Sequence, residues 1–240
     1  MESVFKRNFA LRASDFDCYV RMTPSAILDL FQEVAGAHAE ELGIGFHPLI
    51  EKKMLWVIIR AKYTVIKQPE IHTTVTVKTW PLVPTRLGFQ REYLIEDLDG
   101  NTLIKGTSDW VIMHSEDRKL IPASDIYPKD YVFCEDKNFE EKTARIRDFE
   151  SDGDTYTVIP AFCDLDMNGH VNNIKYANFV MNSLNLQRDD IIETFQTDYQ
   201  HEVKSGMPLN LHIKRDGNEI LAKGTDADGQ KMFFSKIVLK

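Results

Sequence analysis

The chain has 240 residues, of which 43% are hydrophobic and 28% charged, and its formal net charge is −8. This composition is that of a folded globular protein of one large or two small domains, and it excludes disordered, collagen-like and low-complexity chains. The acidic balance argues against non-specific binding to nucleic acid, and no stretch is long and apolar enough to insert into a membrane.

The sequence also lacks the signals of several other classes of protein and of binding site. The N-terminal segment has neither the apolar core of a secretory signal nor the composition of a transit peptide, so we expect a cytoplasmic protein. The three cysteines, Cys18, Cys134 and Cys163, are widely spaced and form no CxxC pair, which argues against a disulfide framework or a thiolate zinc site. Because HExxH, GxGxxG and GxxxxGK[ST] are also missing from the sequence, we expect no metal and no nucleotide or other organic cofactor.

The first half of the chain predicts one helix followed by strands. After a short apolar stretch over 4–9, Thr23 is suited to cap a helix and Pro24 to occupy its first position. Apolar residues recur at helical spacing up to Leu42, and Gly43 is a plausible stop. Strand-like segments follow over 55–66, 73–80, 88–98 and 102–114, and the turn at Asp99-Gly100 joins the last two as a hairpin.

The segment over 116–152 changes character. It is charged, contains Pro122 and Pro128, and shows no sustained period, which is typical of a linker with little regular structure. We therefore assign residues 1–128 to an N-terminal domain, 129–152 to a linker and 153–240 to a C-terminal domain.

The second half repeats the order of the first. A short strand over 156–160 precedes a helix over 171–184, and strands follow over 195–203, 209–215, 219–226 and 231–239. The halves can be aligned with 17–27 against 164–174, which places Thr23 opposite His170, and with 67–79 against 204–215, which places Val65 opposite Glu202. This pattern indicates an internal duplication. A long helix on a curled antiparallel sheet is an α+β unit, so the predicted fold is a tandem hotdog.

The segment over 163–173 concentrates carboxylates, carboxamides and an imidazole in the turn that opens the second helix. A helix N-terminus presents unpaired N–H groups and a positive dipole end, which suits an oxyanion or a polarised carbonyl. A purely structural role competes with this one, because capping needs only a single Asp or Asn. The first half caps its helix with Thr23-Pro24 and has no such cluster. Because capping does not require the cluster, this comparison favours a functional role for the cluster in the second half.

The run DLDMNGHVNNIKYANFV resembles the DxNxHVNNxKY signature of the plant FatA/FatB-like acyl-acyl carrier protein (acyl-ACP) thioesterases and their bacterial relatives. RMTPSAILDLFQEVAGAHAEELG is similar to that family's first helix, LWVIIRAKYTVIKQP to its first central strand, and TDYQHEV to its Glu-containing strand in the second domain. The resemblance runs in order over most of the chain. It implies a tandem hotdog without a metal or an organic cofactor.

The resemblance also implies a catalytic set, which falls on Asp166, Asn168, His170 and Glu202. A cysteine follows the acidic residue in the family, but Val203 stands here, so a cysteine nucleophile at this position is excluded. For Cys163, which has no counterpart role in the family, we expect a small buried residue.

The implied roles follow the chemistry of thioester hydrolysis. Glu202 would be the general base, or alternatively a nucleophile forming an anhydride. His170 and Asn168 would orient the water or the thioester carbonyl, and Asp166 would position the turn. Backbone N–H groups of Val171 and Asn172 would hold the oxyanion.

The implied function is hydrolysis of fatty acyl-ACP to free fatty acid, which terminates fatty acid synthesis, with the N-terminal domain shaping the acyl pocket. Acyl carrier protein, the implied partner, is acidic, so an acidic enzyme needs a local basic patch to bind it. An acyl-CoA thioesterase on the same scaffold and a non-catalytic acyl-binding protein remain alternatives, and a homodimer stays open. Five cations are candidates for the patch: Arg60, Lys62, Lys78, Arg86 and Arg91.

Overall fold

A computed structural model describes residues 3–123, 126–153 and 155–240. The chain divides into an N-terminal unit, Met1–Lys142, and a C-terminal unit, Thr143–Lys240. Among the described residues, none of the helices has the length and apolar character needed to cross a membrane.

Among its described residues, the N-terminal unit has two α-helices and six strands, and the strands form one antiparallel sheet. The elements are β1 (Phe5–Ala10), α1 (Pro24–Glu41), α2 (Phe46–Glu51), β2 (Met54–Val65), β3 (Thr74–Pro81), β4 (Phe89–Glu96), β5 (Thr102–His114) and β6 (Leu120–Ile121). The sheet order is β1-β3-β4-β5-β2, and β6 pairs with β5. The predicted long helix and the four predicted strands are confirmed. Strand β1 was expected only as a short apolar stretch, and α2 and β6 were not predicted.

Helix α1 forms where the sequence predicted it, for the predicted reason. The hydroxyl of Thr23 accepts a hydrogen bond from the amide of Ala26 at 3.2 Å, which satisfies one of the unpaired donors at the helix start. The buried face of α1 lies on the sheet, where the ring of Phe31 stacks on Tyr93 with centroids 4.4 Å apart. Gly106 makes this approach possible, because a Cβ there would lie 2.3 Å from the Phe31 ring.

Helix α1 also carries a buried polar contact near its C-terminal end. His38 is 2% exposed, and its Nδ1 lies 3.1 Å from a guanidinium nitrogen of Arg91, which also donates to Thr79 at 3.2 Å. Burial and the Arg91 charge lower the pKa of His38 to about 3. The imidazole is therefore neutral at physiological pH and can accept the hydrogen bond of the buried cation.

The C-terminal unit repeats the arrangement of the N-terminal unit. Its elements are β7 (Tyr156–Val158), α3 (Asn173–Leu184), β8 (Ile192–Tyr199), β9 (Leu209–Asp216), β10 (Glu219–Thr225) and β11 (Lys231–Leu239). The sheet order is β8-β11-β10-β9-β7, in which each strand takes the place of its counterpart in the first sheet. The predicted duplication and the α+β tandem hotdog fold are thus confirmed.

The predicted linker contains no α-helix or strand among its described residues, yet side-chain bonds fix it to each unit. In the N-terminal unit, the Asn138 carboxamide donates to the carbonyls of Tyr93 and Gly106 at 2.8 and 2.9 Å. In the C-terminal unit, the Ile146 amide donates to the buried carboxylate of Asp198 at 2.8 Å. The division between the units falls within residues 129–152; the different roles assigned to the two domains stay predictions.

Candidate functional site

The carboxylate of Asp166 organises the turn before α3. Its Oδ1 accepts the amides of Asn168 at 2.8 Å and His170 at 3.2 Å. The amide of Asp166 donates to the carbonyl of His170 at 2.7 Å, and Gly169 takes a φ of +75° that suits a glycine. One side chain therefore fixes the backbone of both neighbouring candidate residues.

Helix α3 begins two residues later than the sequence predicted. It starts at Asn173 rather than Val171, because the side chain of Asn172 caps it by accepting the amide of Ile174 at 3.2 Å. His170 consequently lies in the turn that precedes the helix.

The predicted oxyanion donors are wrong. The amide of Val171 donates to the carbonyl of Val203 at 2.8 Å, and the amide of Asn172 donates to the carbonyl of Asp164 at 2.8 Å. Both N–H groups are thus used to hold the turn in place. Neither N–H group is therefore available to a bound ligand.

Glu202 does not lie in a strand, contrary to the prediction of a strand over 195–203. Strand β8 ends at Tyr199, and the amides of Gln200 and His201 both donate to the carbonyl of Met232, at 2.9 and 3.1 Å. The chain leaves the regular ladder at this point. Glu202 therefore sits in the connection between β8 and β9.

The turn and this connection bring two candidate side chains together. The backbone of His170 pairs with that of Lys204 in an isolated bridge, and the Nε2 atom of His170 lies 3.4 Å from a carboxylate oxygen of Glu202. The two side chains are 24% and 35% exposed, respectively. The pair is thus accessible to water and to a ligand, while hydrogen bonds hold the backbone around it.

The carboxamide of Asn168 belongs to the same turn. The residue is exposed, and within the described part of the chain its side chain makes no hydrogen bond to the protein. It can therefore donate to a ligand, which the engaged amides of Val171 and Asn172 cannot.

Tyr176 supports the site from α3 and was not singled out by the sequence analysis. It is buried, its ring packs on Phe233 with centroids 5.0 Å apart, and its hydroxyl bonds to the backbone of Val203. Burial raises the pKa of Tyr176, and the charges of Glu202 and Asp166 raise it further. A neutral phenol thus anchors the residue next to Glu202. The sequence signal for Tyr176 was the tyrosine that ends the DxNxHVNNxKY signature.

The N-terminal unit contains the same turn with different side chains. Oδ1 of Asp17 accepts the amides of Tyr19 at 2.8 Å and Arg21 at 3.0 Å, and Val20 has a φ of +61°. The predicted alignment was therefore displaced by two residues. The structural counterparts are Asp17 and Asp166, Tyr19 and Asn168, Val20 and Gly169, Arg21 and His170, and Thr23 and Asn172.

The same comparison finds the counterpart of Glu202. The amides of Ile66 and Lys67 both donate to the carbonyl of Leu103, at 2.9 and 3.1 Å, as those of the two residues before Glu202 do to Met232. The next residue, Gln68, therefore corresponds to Glu202, and the predicted counterpart Val65 is wrong. Where the second unit has an imidazole and a carboxylate, the first has a guanidinium group and a carboxamide.

These substitutions give the first copy a structural role. Arg21 Nε bonds to Asp17 Oδ2 at 2.9 Å, and Gln68 Oε1 accepts the amide of Met22 at 3.2 Å. The shared turn is thus a scaffold of the fold, and the chemistry that differs between the units is the pair of His170 and Glu202.

We expect Asp166→Asn to retain activity within a few-fold and Asp166→Ala to lose it. Asparagine keeps the oxygen that accepts two amides, whereas alanine removes it and should lower the free energy of unfolding by about 1–3 kcal/mol. Urea unfolding and kcat measured on both variants check this. Asp17→Ala is the matched control and should lower stability without changing kcat. An Asp166→Asn variant as inactive as Asp166→Ala would contradict a purely positioning role.

Metal ligands and thiols were also candidates for chemistry. No group of three or more metal-ligating side chains occurs among the residues that the structure describes. Cys163 is an exposed free thiol, so the expectation of a small buried residue is wrong.

By its fold, this protein is a tandem hotdog with a polar site at the start of its second long helix. Comparisons with known proteins give its family. Residues 2–131 match the model of the acyl-ACP thioesterase N-terminal domain, and residues 149–231 match that of the C-terminal domain. The chain belongs to the acyl-ACP thioesterase family.

Curated relatives come from plants. The oleoyl-acyl carrier protein thioesterase of Coriandrum sativum is 29% identical over 82% of this chain and 59% of its own length. Oleoyl-acyl carrier protein thioesterase 1 of Arabidopsis thaliana is 30% identical over 82% of this chain and 60% of its own length. The chain thus spans about three fifths of these two relatives.

Solved structures agree on the fold. An acyl-ACP thioesterase from Bacteroides thetaiotaomicron superposes with a TM-score of 0.90 at 24% identity, covering 99% of this chain and 98% of its own. The 12:0-ACP thioesterase from Umbellularia californica superposes with a TM-score of 0.82 at 24% identity, covering 100% and 98%. At this identity the likeness establishes the shared architecture.

Proposed function

We propose that this chain hydrolyses the thioester of fatty acyl-ACP to free fatty acid and acyl carrier protein, and so terminates fatty acid synthesis. The observation that carries the proposal is the contact of His170 with Glu202 beside the Asp166 turn. This pair occurs in the C-terminal unit and is replaced by Arg21 and Gln68 in the other. Membership of the thioesterase family supplies the reaction class.

Glu202 is the proposed general base. Its carboxylate takes a proton from water, and the resulting hydroxide oxygen adds to the thioester carbonyl carbon. When the tetrahedral intermediate collapses, the C–S bond breaks and the leaving thiolate takes the proton, which gives one carboxylic acid and one thiol. The 35% exposure of the Glu202 side chain supports this role, because a base for water must be reached by water. His170, 3.4 Å away, orients the carboxylate.

Asn168 is the proposed oxyanion donor. Its carboxamide N–H groups carry no protein partner among the described residues, whereas the neighbouring backbone amides are engaged. The Asp166 carboxylate fixes the backbone of Asn168, so only the side chain has to reorient when negative charge develops on the carbonyl oxygen.

The remaining roles follow from the difference between the units. The N-terminal domain (1–128) lacks the His–Glu pair and is proposed to hold the acyl chain, while the C-terminal domain (153–240) carries the chemistry. We propose the cytoplasm as the compartment and acyl carrier protein as the partner.

A panel of thioesters tests the function. Fatty acyl groups from short to long, saturated and monounsaturated, are offered on acyl carrier protein and on coenzyme A, and free thiol is measured. We expect turnover that depends on the carrier protein and peaks at one chain length. Equal turnover of the CoA esters would assign the chain as an acyl-CoA thioesterase instead. Tight binding of acyl-ACP without turnover would favour an acyl-binding protein.

A further inference from the structure

The residue that follows Glu202 is held at both ends of its backbone. The carbonyl of Val203 accepts the amide of Val171 at 2.8 Å, and the backbone of Val203 also bonds to the hydroxyl of Tyr176. Burial raises the pKa of Tyr176, and this bond opposes the rise, which is the effect of a donor to the phenol oxygen. The N–H of Val203 is therefore the donor. Because Val203 is 0% exposed, water cannot replace the phenol oxygen as the acceptor.

The N-terminal unit has different residues at both ends of this bond. Four residues after the helix cap, Ile27 takes the place of Tyr176. Directly after Gln68, Pro69 takes the place of Val203. Isoleucine has no oxygen to accept a hydrogen bond, and proline has no N–H to donate one. Both residues are buried, so apolar groups fill these positions in the unit that lacks the His–Glu pair.

One backbone amide links this difference to the candidate catalytic residues. In the C-terminal unit, the amide of Val171 donates to the carbonyl of Val203, and the carboxylate of Glu202 lies 3.4 Å from the imidazole of the turn. In the N-terminal unit, the corresponding amide of Met22 donates to the side chain of Gln68 at 3.2 Å. The same amide thus has two alternative acceptors, the carbonyl of the following residue or the side chain at the position of Glu202.

The carboxylate is the stronger of these two acceptors. A hydrogen bond to an ionised group is roughly twice as strong as one between neutral groups. The Glu202 carboxylate would therefore take the Val171 amide if the backbone of Val203 were not held in place. The phenol oxygen of Tyr176 holds the N–H end of Val203, which keeps the carbonyl at the other end within reach of the amide.

We propose that Tyr176 is a positioning residue for the general base, an inference that rests on the proposed thioesterase function. Its hydroxyl keeps the amide of Val171 on the carbonyl of Val203. The Glu202 carboxylate consequently stays beside the imidazole, where it takes a proton from water. Without the phenol oxygen, the C-terminal unit adopts the hydrogen bonding of the N-terminal unit, in which the side chain accepts the amide.

The variant Tyr176→Phe removes the phenol oxygen and keeps the ring. We expect kcat for the preferred acyl-ACP to fall about tenfold to a hundredfold, the cost of misplacing a catalytic group by about 1 Å, with KM unchanged. Tyr199→Phe is the matched control. The two rings have centroids 5.5 Å apart, but the hydroxyl of Tyr199 donates to the carbonyl of Asn173 at 3.1 Å.

The control separates positioning from stability. Both variants lose one buried hydrogen bond and should lower the unfolding midpoint by similar amounts, whereas Tyr199→Phe should keep kcat within a few-fold. Equal loss of kcat in the two variants, or no loss in Tyr176→Phe, overturns the proposal.

The NMR resonance of the Val171 amide reports the exchange of hydrogen bonds directly. In the wild type this amide donates to a carbonyl, so its proton shift should change little when Glu202 is protonated at low pH. In Tyr176→Phe it donates to the carboxylate, so its shift should follow that protonation. Asp166 and His170 titrate nearby, and Tyr176→Phe/Glu202→Gln retains their contribution while it removes that of Glu202. A resonance that titrates alike in the wild type and Tyr176→Phe overturns the proposal.

Val203→Pro removes the same bond from its donor side. The Gln68-Pro69 sequence of the N-terminal unit shows that this connection of the fold accepts a proline. If Tyr176 acts through the N–H of Val203, then Tyr176→Phe/Val203→Pro should be no slower than the slower of the two single variants. Rate losses that multiply would show that Tyr176 acts by another route, and would overturn the proposal.

The positioning role and the thioesterase activity can fail separately in these measurements. If the wild-type chain hydrolyses no thioester but the Val171 resonance of Tyr176→Phe follows Glu202, the proposed function fails and the exchange of hydrogen bonds stands. If the wild-type chain hydrolyses acyl-ACP and Tyr176→Phe is as active as Tyr199→Phe, the positioning role fails and the proposed function stands.

Discussion

Replacing Glu202 with glutamine should lower kcat for the preferred acyl-ACP by about 10²–10⁴-fold, the usual contribution of a general base. Glutamine keeps the size and one acceptor oxygen of the side chain but cannot take a proton from water. The change should leave KM and the unfolding midpoint close to those of the wild type. Steady-state hydrolysis measures kcat and KM, and thermal unfolding measures the midpoint.

Two control variants make this result specific. Glu219→Gln applies the same change to a carboxylate at the start of β10 that pairs with Lys236. Gln68→Ala alters the structural counterpart of Glu202 in the N-terminal unit. Neither should change kcat by more than a few-fold. Loss of activity in the controls, or an active Glu202→Gln enzyme, would show that the base lies elsewhere.

A single turnover in H₂¹⁸O tests whether Glu202 acts as a nucleophile. If it is a base, the label enters the fatty acid directly and the protein remains unlabelled. If it is a nucleophile, the acyl group first forms an anhydride with the carboxylate as the thiol leaves, and water that attacks the Glu202 carbon of the anhydride then leaves ¹⁸O in the protein, whereas attack on the acyl carbon gives the same labelling as the base route. Protein labelling, measured by mass spectrometry of the peptide that contains Glu202, would therefore contradict the mechanism proposed above.

Local sequence signals were sufficient for most of the regular elements. The cap Thr23, the N1 proline and the spacing of apolar residues predicted α1, and β5 was found over the predicted residues 102–114. These features depend on backbone propensity and on burial of one face, which neighbouring residues largely determine. Helix α2, Phe46–Glu51, is less than two turns long, too short for its periodicity to stand out.

The register of the internal repeat needed the structure. Each half contains two aspartates two positions apart, Asp15 with Asp17 and Asp164 with Asp166, and the sequence alignment matched Asp17 to the wrong one. The hydrogen bonds separate their roles. Asp15 and Asp164 each accept the amide three residues earlier, at 2.7 and 2.9 Å, whereas Asp17 and Asp166 each close the following turn. Residue types alone do not carry this difference.

The end of β8 shows the same limit of sequence reasoning. The family signature indicated His170 and Glu202, but the strand pattern extended β8 through Glu202, because no residue type there marks the end of the strand. The strand leaves the ladder because the carbonyl of Met232 accepts hydrogen bonds from the amides of both Gln200 and His201. Such a contact between residues far apart in the sequence is set by the tertiary fold, and a local period does not encode it.

Replacing His170 with alanine should lower kcat by about 10²-fold or more. The substitution removes the imidazole whose Nε2 lies 3.4 Å from the Glu202 carboxylate, so that carboxylate loses its fixed orientation toward water. Steady-state hydrolysis of the preferred acyl-ACP measures the loss. Arg21→Ala is the matched control at the structural counterpart. It breaks the 2.9 Å ion pair with Asp17 and should affect stability more than kcat.

The double variant His170→Ala/Glu202→Gln tests whether the two residues act as one device. When two residues serve one chemical step, removing the first already abolishes most of what the second contributes to the rate. The double variant should therefore be about as slow as Glu202→Gln alone. Rate losses that multiply would instead show that His170 acts on the substrate independently of Glu202, for example on the thioester carbonyl. Because the N-terminal unit has the same turn but Arg21 and Gln68 in these positions, a coupled pair would also explain why one unit, and not the turn itself, carries the chemistry.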